Sequence, residues 1–187
     1  MMHTSAPAAA ELAAARAATL AAGPGDGTAV QQFLRFALGD ERYAVRIDAV
    51  REILEVGRMT PLPLMPSFVR GVMNLRGAVV PVIDLGARLG GGATSIGRRT
   101  CVVIVDIALA DDQGAQRLGM LVDAVYEVVD AGTAELEPVP RLGTRIDPGF
   151  IRSMVRVRGQ ATPELDIAAV LDQKVLAELI AEHTQSH

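Results

Sequence analysis

Tryptophan is absent from this chain of 187 residues, and four phenylalanines and two tyrosines are its only aromatic side chains. That argues against a platform for stacking bases. The core must instead be built from Val, Leu, Ile, Ala and Met. The single cysteine, Cys101, rules out an intramolecular disulfide and fits a reducing compartment. Its setting in TCVVIVDI predicts a buried core thiol rather than a nucleophile. Histidine occurs only at His3, His183 and His187, in the terminal segments. This argues against Ser–His or Cys–His catalysis and a His-rich zinc site within the body of the fold. Lys174 is the only lysine, so no phosphate-binding GxxxxGK[ST] loop exists and Schiff-base chemistry has a poor starting point. No charge-free apolar run reaches the roughly 18 residues of a membrane span. The alanine-rich start lacks a basic leader region, and Glu11 and Arg16 interrupt it, so it does not read as a secretory signal. A net charge of −4 lacks the basic footprint of a nucleic-acid binder. The chain reads as cytoplasmic, without direct membrane insertion, and needs no cofactor or metal.

What is present is a repetition. PSFVRGVMNLRGAVVPVIDLGARL (66–89) aligns without a gap on PGFIRSMVRVRGQATPELDIAAVL (148–171). Identical pairs include Pro66/Pro148, Phe68/Phe150, Arg70/Arg152, Arg76/Arg158, Gly77/Gly159, Pro81/Pro163, Asp84/Asp166 and Leu89/Leu171. Upstream, RYAVRIDAVREIL (42–54) echoes RLGMLVDAVYEVV (117–129), with Asp48/Asp123, Val50/Val125 and Glu52/Glu127 among the identities. The echoes run in the same order. Two copies of so long a unit point to two similar subdomains rather than a solenoid.

Between the repeats the pattern is of short apolar runs broken by Gly and Pro, the mark of an all-β sandwich or barrel. Gly39-Asp40 and Arg76-Gly77 read as hairpin turns. Pro81, inside AVVPVI, predicts an edge strand or a bulge. Asp48, Asp84, Asp123 and Asp166 each follow an extended run and precede a helical pattern, where Asp caps backbone N–H groups. Residues 1–30 read as a flexible Ala-rich extension. From Asp166 the apolar residues recur at helical spacing and predict an amphipathic C-terminal helix over 167–183. The expected fold is mainly β: two small five-stranded β-barrel subdomains (SH3-like or OB-like), intertwined, over roughly 31–97 and 98–166, with short helices and that terminal helix.

Seventeen of the eighteen basic residues are Arg, whose planar fork of donors suits carboxylates and protein interfaces. Arg76 stands out. It occupies a turn between apolar strands where Asn or Asp would serve the fold, so it reads either as a solvent-exposed turn charge or as a recognition residue for an acidic partner.

Those residues carry a family resemblance. FLRFALGDERYAVRIDAVREIL followed by FVRGVMNLRGAVVPVIDL resembles the CheW family, the coupling proteins of bacterial chemotaxis. The pattern G-V-x-N-L-R-G-x-x-V-P-V-x-D-L is met from Gly71 to Leu85, and the resemblance spans about residues 31–180. It implies two five-stranded barrels around a shared core and a non-catalytic adaptor. It also implies the partners: the cytoplasmic tip of chemoreceptors and the regulatory domain of the histidine kinase CheA. The positions matching the family's partner-binding groove are Val50, Glu52, Ile53, Gly71, Asn74, Arg76, Gly77, Val102 and Val125. An adaptor for a CheA-type cascade with another output, such as pili or development, uses the same scaffold. A small-barrel hydrolase or nucleic-acid binder is opposed by the missing core histidines, the scarce aromatics and the acidic balance.

Overall fold

Alternation within single strands explains the architecture. The computed structural model describes residues 30–108, 114–141 and 145–171. In strand β6 (Cys101–Ala108) the residues Cys101, Val103, Val105 and Ile107 enter one apolar cluster, while Val102 and Ile104 enter another. A strand with cores on both faces reads as an unbroken apolar run, because successive side chains point to opposite sides. Strand β1 (Gln31–Leu38) behaves alike, with Leu34, Phe36 and Leu38 on the shared side and Phe33 on the other.

The remaining strands are β2 (Glu41–Arg46), β3 (Val50–Glu55), β4 (Val69–Leu75), β5 (Ala78–Asp84), β7 (Ala115–Val122), β8 (Ala124–Ala131), β9 (Leu136–Glu137), β10 (Ile151–Val157) and β11 (Gln160–Leu165). Two short helices, α1 (Leu85–Arg88) and α2 (Ile167–Val170), follow β5 and β11. One sheet runs β3-β6-β7-β5-β4 and the other β8-β1-β2-β11-β10-β9. Each curls around its own small core. Leu54 from one edge strand and Met73 from the other pack in a single cluster with Val82, Val102 and Leu121. Phe33, Ala44, Val155 and Val157 fill the counterpart. Between the two sheets lies the largest apolar cluster, containing both Phe36 and Met120.

The mainly β class and the two-part build match the expectation from sequence. The sheets, however, do not follow the halves of the chain. Each draws strands from both 31–97 and 98–166: β1 and β2 sit with β8, β10 and β11, while β6 and β7 sit with β3, β4 and β5. The two orders are equivalent under the repeat. The N-terminal extension, the loop at 109–113 and the terminal helix beyond Leu171 lie outside the described residues, as do Lys174 and the three histidines.

Pro81 corrects the edge-strand expectation. Strand β5 is internal, between β7 and β4. Pro81 pairs across from Val72 and immediately precedes Val82–Asp84, the stretch that forms the parallel ladder with β7. Its missing N–H therefore falls where that ladder has not begun. Pro163 repeats the arrangement, one residue before Glu164 pairs with Ala44 of β2. The bulge lies instead at Val69/Gly71 on the neighbouring strand.

The Asp expectations divide. Asp84 caps α1 through Ala87 N–H, and Asp166 caps α2 through Ala169 N–H. Asp84 is fully buried and also accepts from Thr94 N–H, Thr94 Oγ1 and the Arg70 guanidinium. Asp48 and Asp123 are not helix caps. Asp48 lies inside a 3₁₀ turn (Ile47–Ala49) that has no side-chain cap. Asp123 accepts from Gly39 N–H at 2.6 Å and ties down the β1–β2 turn, because β8 follows it directly and no helix is there to cap.

Candidate functional site

With Leu64, the arginines of the two Arg-Gly turns are the non-glycine residues of positive φ among the described residues. Arg76 has φ +53 and Gly77 φ +88; Arg158 has φ +49 and Gly159 φ +80. Left-handed angles at both central residues are those of a type I′ hairpin turn, which favours Asn-Gly. An arginine in this region is disfavoured by its Cβ, and such residues gather at functional sites.

Each of these arginines grips a glutamate. Arg76 donates to both oxygens of Glu52, at 2.7 and 2.9 Å. Arg158 donates to both oxygens of Glu127, each at 2.8 Å. Both arginine side chains are 71% exposed. The bidentate fork gives geometric definition to what would otherwise be a loose surface pair. The hydrogen bonds from Arg76 hold the Glu52 carboxyl below its ordinary range, although partial burial opposes them. The bonds from Arg158, joined by Arg35, do the same to Glu127. The sequence identities Glu52/Glu127 and Arg76/Arg158 are thus one repeated ion pair, invisible until the strands are placed.

The expected partner-binding residues fall into two groups. Glu52, Asn74, Arg76 and Gly77 come together at one end of the first-named sheet. Asn74 spends its amide oxygen on Gly77 N–H at 2.9 Å, so it fastens the turn. Val50, Ile53 and Val125 belong to the core between the sheets, and Val102 to a barrel interior. Their side chains are buried, with Ile53 and Val125 each 7% exposed, and their packing holds the strands in place. Gly71 is also structural. A Cβ there would stand 2.3 Å from the Thr60 carbonyl oxygen, at φ +140, and would push apart the Thr60–Val72 bridge. Apolar side chains that do reach the surface nearby were missed: Leu54, Val56, Met59 and Leu75 are only partly buried, and all pack on the core beneath the Arg76 turn's strands. Alternation along β3 and β4 marks Leu54 and Leu75, whereas Val56 and Met59 follow β3 in a stretch without strand pattern.

Cys101 is buried as expected; its environment pushes the thiol pKa up, chiefly by desolvation. No helix among the described residues is long and apolar enough to cross a membrane.

The profile of the CheW family, described as the CheW-like domain, matches residues 32–175. The chain belongs to the CheW family. It is 32% identical over 130 residues to the chemotaxis protein CheW of Rhizobium meliloti (strain 1021), covering 70% of this chain and 80% of that one. It is 36% identical over 110 residues to the protein FrzA of Myxococcus xanthus, covering 59% and 65%. Among solved structures it is similar to the scaffolding protein TtCheW from Thermoanaerobacter tengcongensis, with a TM-score of 0.69 and 28% identity over 77% of this chain and 94% of that one. Membership makes this chain a chemotaxis adaptor of a non-catalytic scaffold family. Its work is then to bring other proteins together.

Proposed function

We propose that the chain couples the cytoplasmic tip of chemoreceptors to the regulatory domain of the histidine kinase CheA. We place one partner contact on the Arg76–Glu52 turn and the partly exposed Leu54, Val56, Met59 and Leu75 beside it. The observation that carries the placement is the arginine held in a left-handed turn that Asn would form more readily. An apolar patch with a charged, geometrically fixed rim is the usual make-up of an interface hot region. Val50, Ile53, Val102 and Val125 contribute from beneath, by fixing the strands that carry the surface. A receptor's α-helical tip would lay apolar side chains on the patch and an acidic group against the outward edge of the Arg76 fork.

The test is Arg76→Asn, which suits the turn better than Arg does. The variant should melt no earlier than the parent. Its co-sedimentation with receptor signalling fragments and CheA should fall at least fivefold. Undiminished ternary assembly by Arg76→Asn and by Glu52→Gln would sink the placement.

A further inference from the structure

The two copies of the repeat differ in how their arginines are neutralised. In β6–β7, Asp106 lies opposite Arg117 and accepts from both Arg117, at 3.2 Å, and Arg51. Arg76 has Glu52. Among the described residues, three arginines there share two carboxylates. Arg117's counterpart is Arg42, and the residue opposite Arg42 in β1–β2 is Ala37. The carboxylate of Asp106 therefore has no equivalent in the other copy. The position of Ile104, opposite Gly119, is meanwhile taken by Arg35, opposite Ala44.

The consequence is an open pocket of about 420 Å³ lined by Arg35, Arg42, Tyr126, Glu127, Arg158 and Gln160. Three guanidinium groups face one carboxylate. Glu127 is committed to Arg35 and to the fork of Arg158. Arg42 has no carboxylate within ion-pair distance among the described residues; its guanidinium lies over the Tyr126 ring, 4.2 Å from the centroid. Arg35 is only 7% exposed, and its Nε–H is buried without an acceptor. A buried donor left unpaired beside an open pocket calls for an acceptor.

We propose that this pocket receives a carboxylate from an acidic side chain of a protein partner. The chemistry is read from the chain's own other copy, where an Asp carboxylate completes the equivalent arginine set from the adjacent strand. With Ala37 in that place, the carboxylate comes from outside. Arginine forks match the planar carboxylate with two parallel N–H donations. The adaptor reading enters only in naming a protein as the source.

The experiment is an NMR titration of the full ¹⁵N-labelled chain with a tetraglutamate peptide, beside inorganic phosphate and sodium chloride at matched ionic strength. The peptide should give saturating shifts at the Arg35 Nε–H and at Arg42, Tyr126 and Arg158. Arg42→Gln should weaken binding at least fivefold, whereas Arg117→Gln in the other copy leaves it unchanged. Ala37→Asp, if it folds, should supply the carboxylate internally and abolish the peptide shifts. Equal shifts with sodium chloride, indifference to Arg42→Gln, or saturation by phosphate with no peptide response would each overturn the proposal. No receptor or kinase is needed, so the outcome is separate from the coupling assay. Lost coupling with intact peptide binding counts against the adaptor surface alone, and the reverse counts against the pocket alone.

Discussion

At the scale of single residues, charge pairing decides what each carboxylate does. Glu52 and Glu127 titrate lower in the fold than in the unfolded chain, because arginine hydrogen bonds favour their ionised forms. Their contribution to stability is therefore complete above their ordinary value of 4.5 and is lost as the pH falls through the lowered values. Glu127→Gln should cost about 1–2 kcal/mol at neutral pH, since it also strips the buried Arg35 of its one carboxylate among the described residues. The difference in melting temperature between parent and variant should close as the pH drops below the carboxylate range; a pH-independent gap would refute the assignment. Asp84 is a different case, buried with four donors on its two oxygens. Asp84→Ala leaves Thr94 N–H, Ala87 N–H and Arg70 short of an acceptor. It should lower the unfolding free energy by about 3 kcal/mol, read by urea denaturation.

At the scale of elements, local signals and tertiary demands can be separated. The turns at Gly39-Asp40 and Arg76-Gly77 were legible, because a dipeptide with glycine between apolar runs has few other uses. The caps at Asp84 and Asp166 were legible for the same local reason. The Asp48 and Asp123 caps were not, since the shared Asp-Ala-Val-x-Glu segment runs straight into a strand in both copies and no α-helix develops. Pro81 was misplaced to an edge because its safety depends on where β7 begins to pair, a long-range fact. The site shows the same division. Arg76 announced itself by standing in a turn, but the depth of Val50, Ile53, Val102 and Val125 was not legible, because a strand buried on both faces and one lining a groove have the same apolar spelling. Arg88 shows how far a side chain can reach beyond its own copy. It donates to the Val170 carbonyl at 2.6 Å and lies over the rings of both Phe68 and Phe150, so one residue fastens the two helices to each other.

At the scale of the whole molecule, the interleaving of the copies governs folding. The hairpin β1–β2 finds its sheet partners β8 and β11 only after most of the chain has been made. Pairings so distant in sequence carry a loop-closure cost before they return any stability. Fragments 1–97 and 98–187 should each lack a cooperative melt when prepared alone. Mixed in equal amounts, they should recover the parent's strand signal by circular dichroism as a one-to-one complex. A cooperative transition from either fragment alone, as a monomer, would contradict this dependence.

The exchange of hairpins has a historical reading as well. A single repeat folding with its own twin would give two sheets, each built from the first hairpin of one subunit and the later strands of the other, as in a strand-swapped homodimer. Joining the twins end to end, through the segment after α1, produces the strand orders seen in this chain. Fusion also removes an obligation. Two identical subunits must change together, whereas two halves of one chain drift apart freely. Ile104 on one side and Arg35 on the other, Asp106 and Ala37, are differences that a symmetric pair of subunits could not hold. A symmetric dimer could offer a visitor only the same face twice, and this single chain offers two different ones.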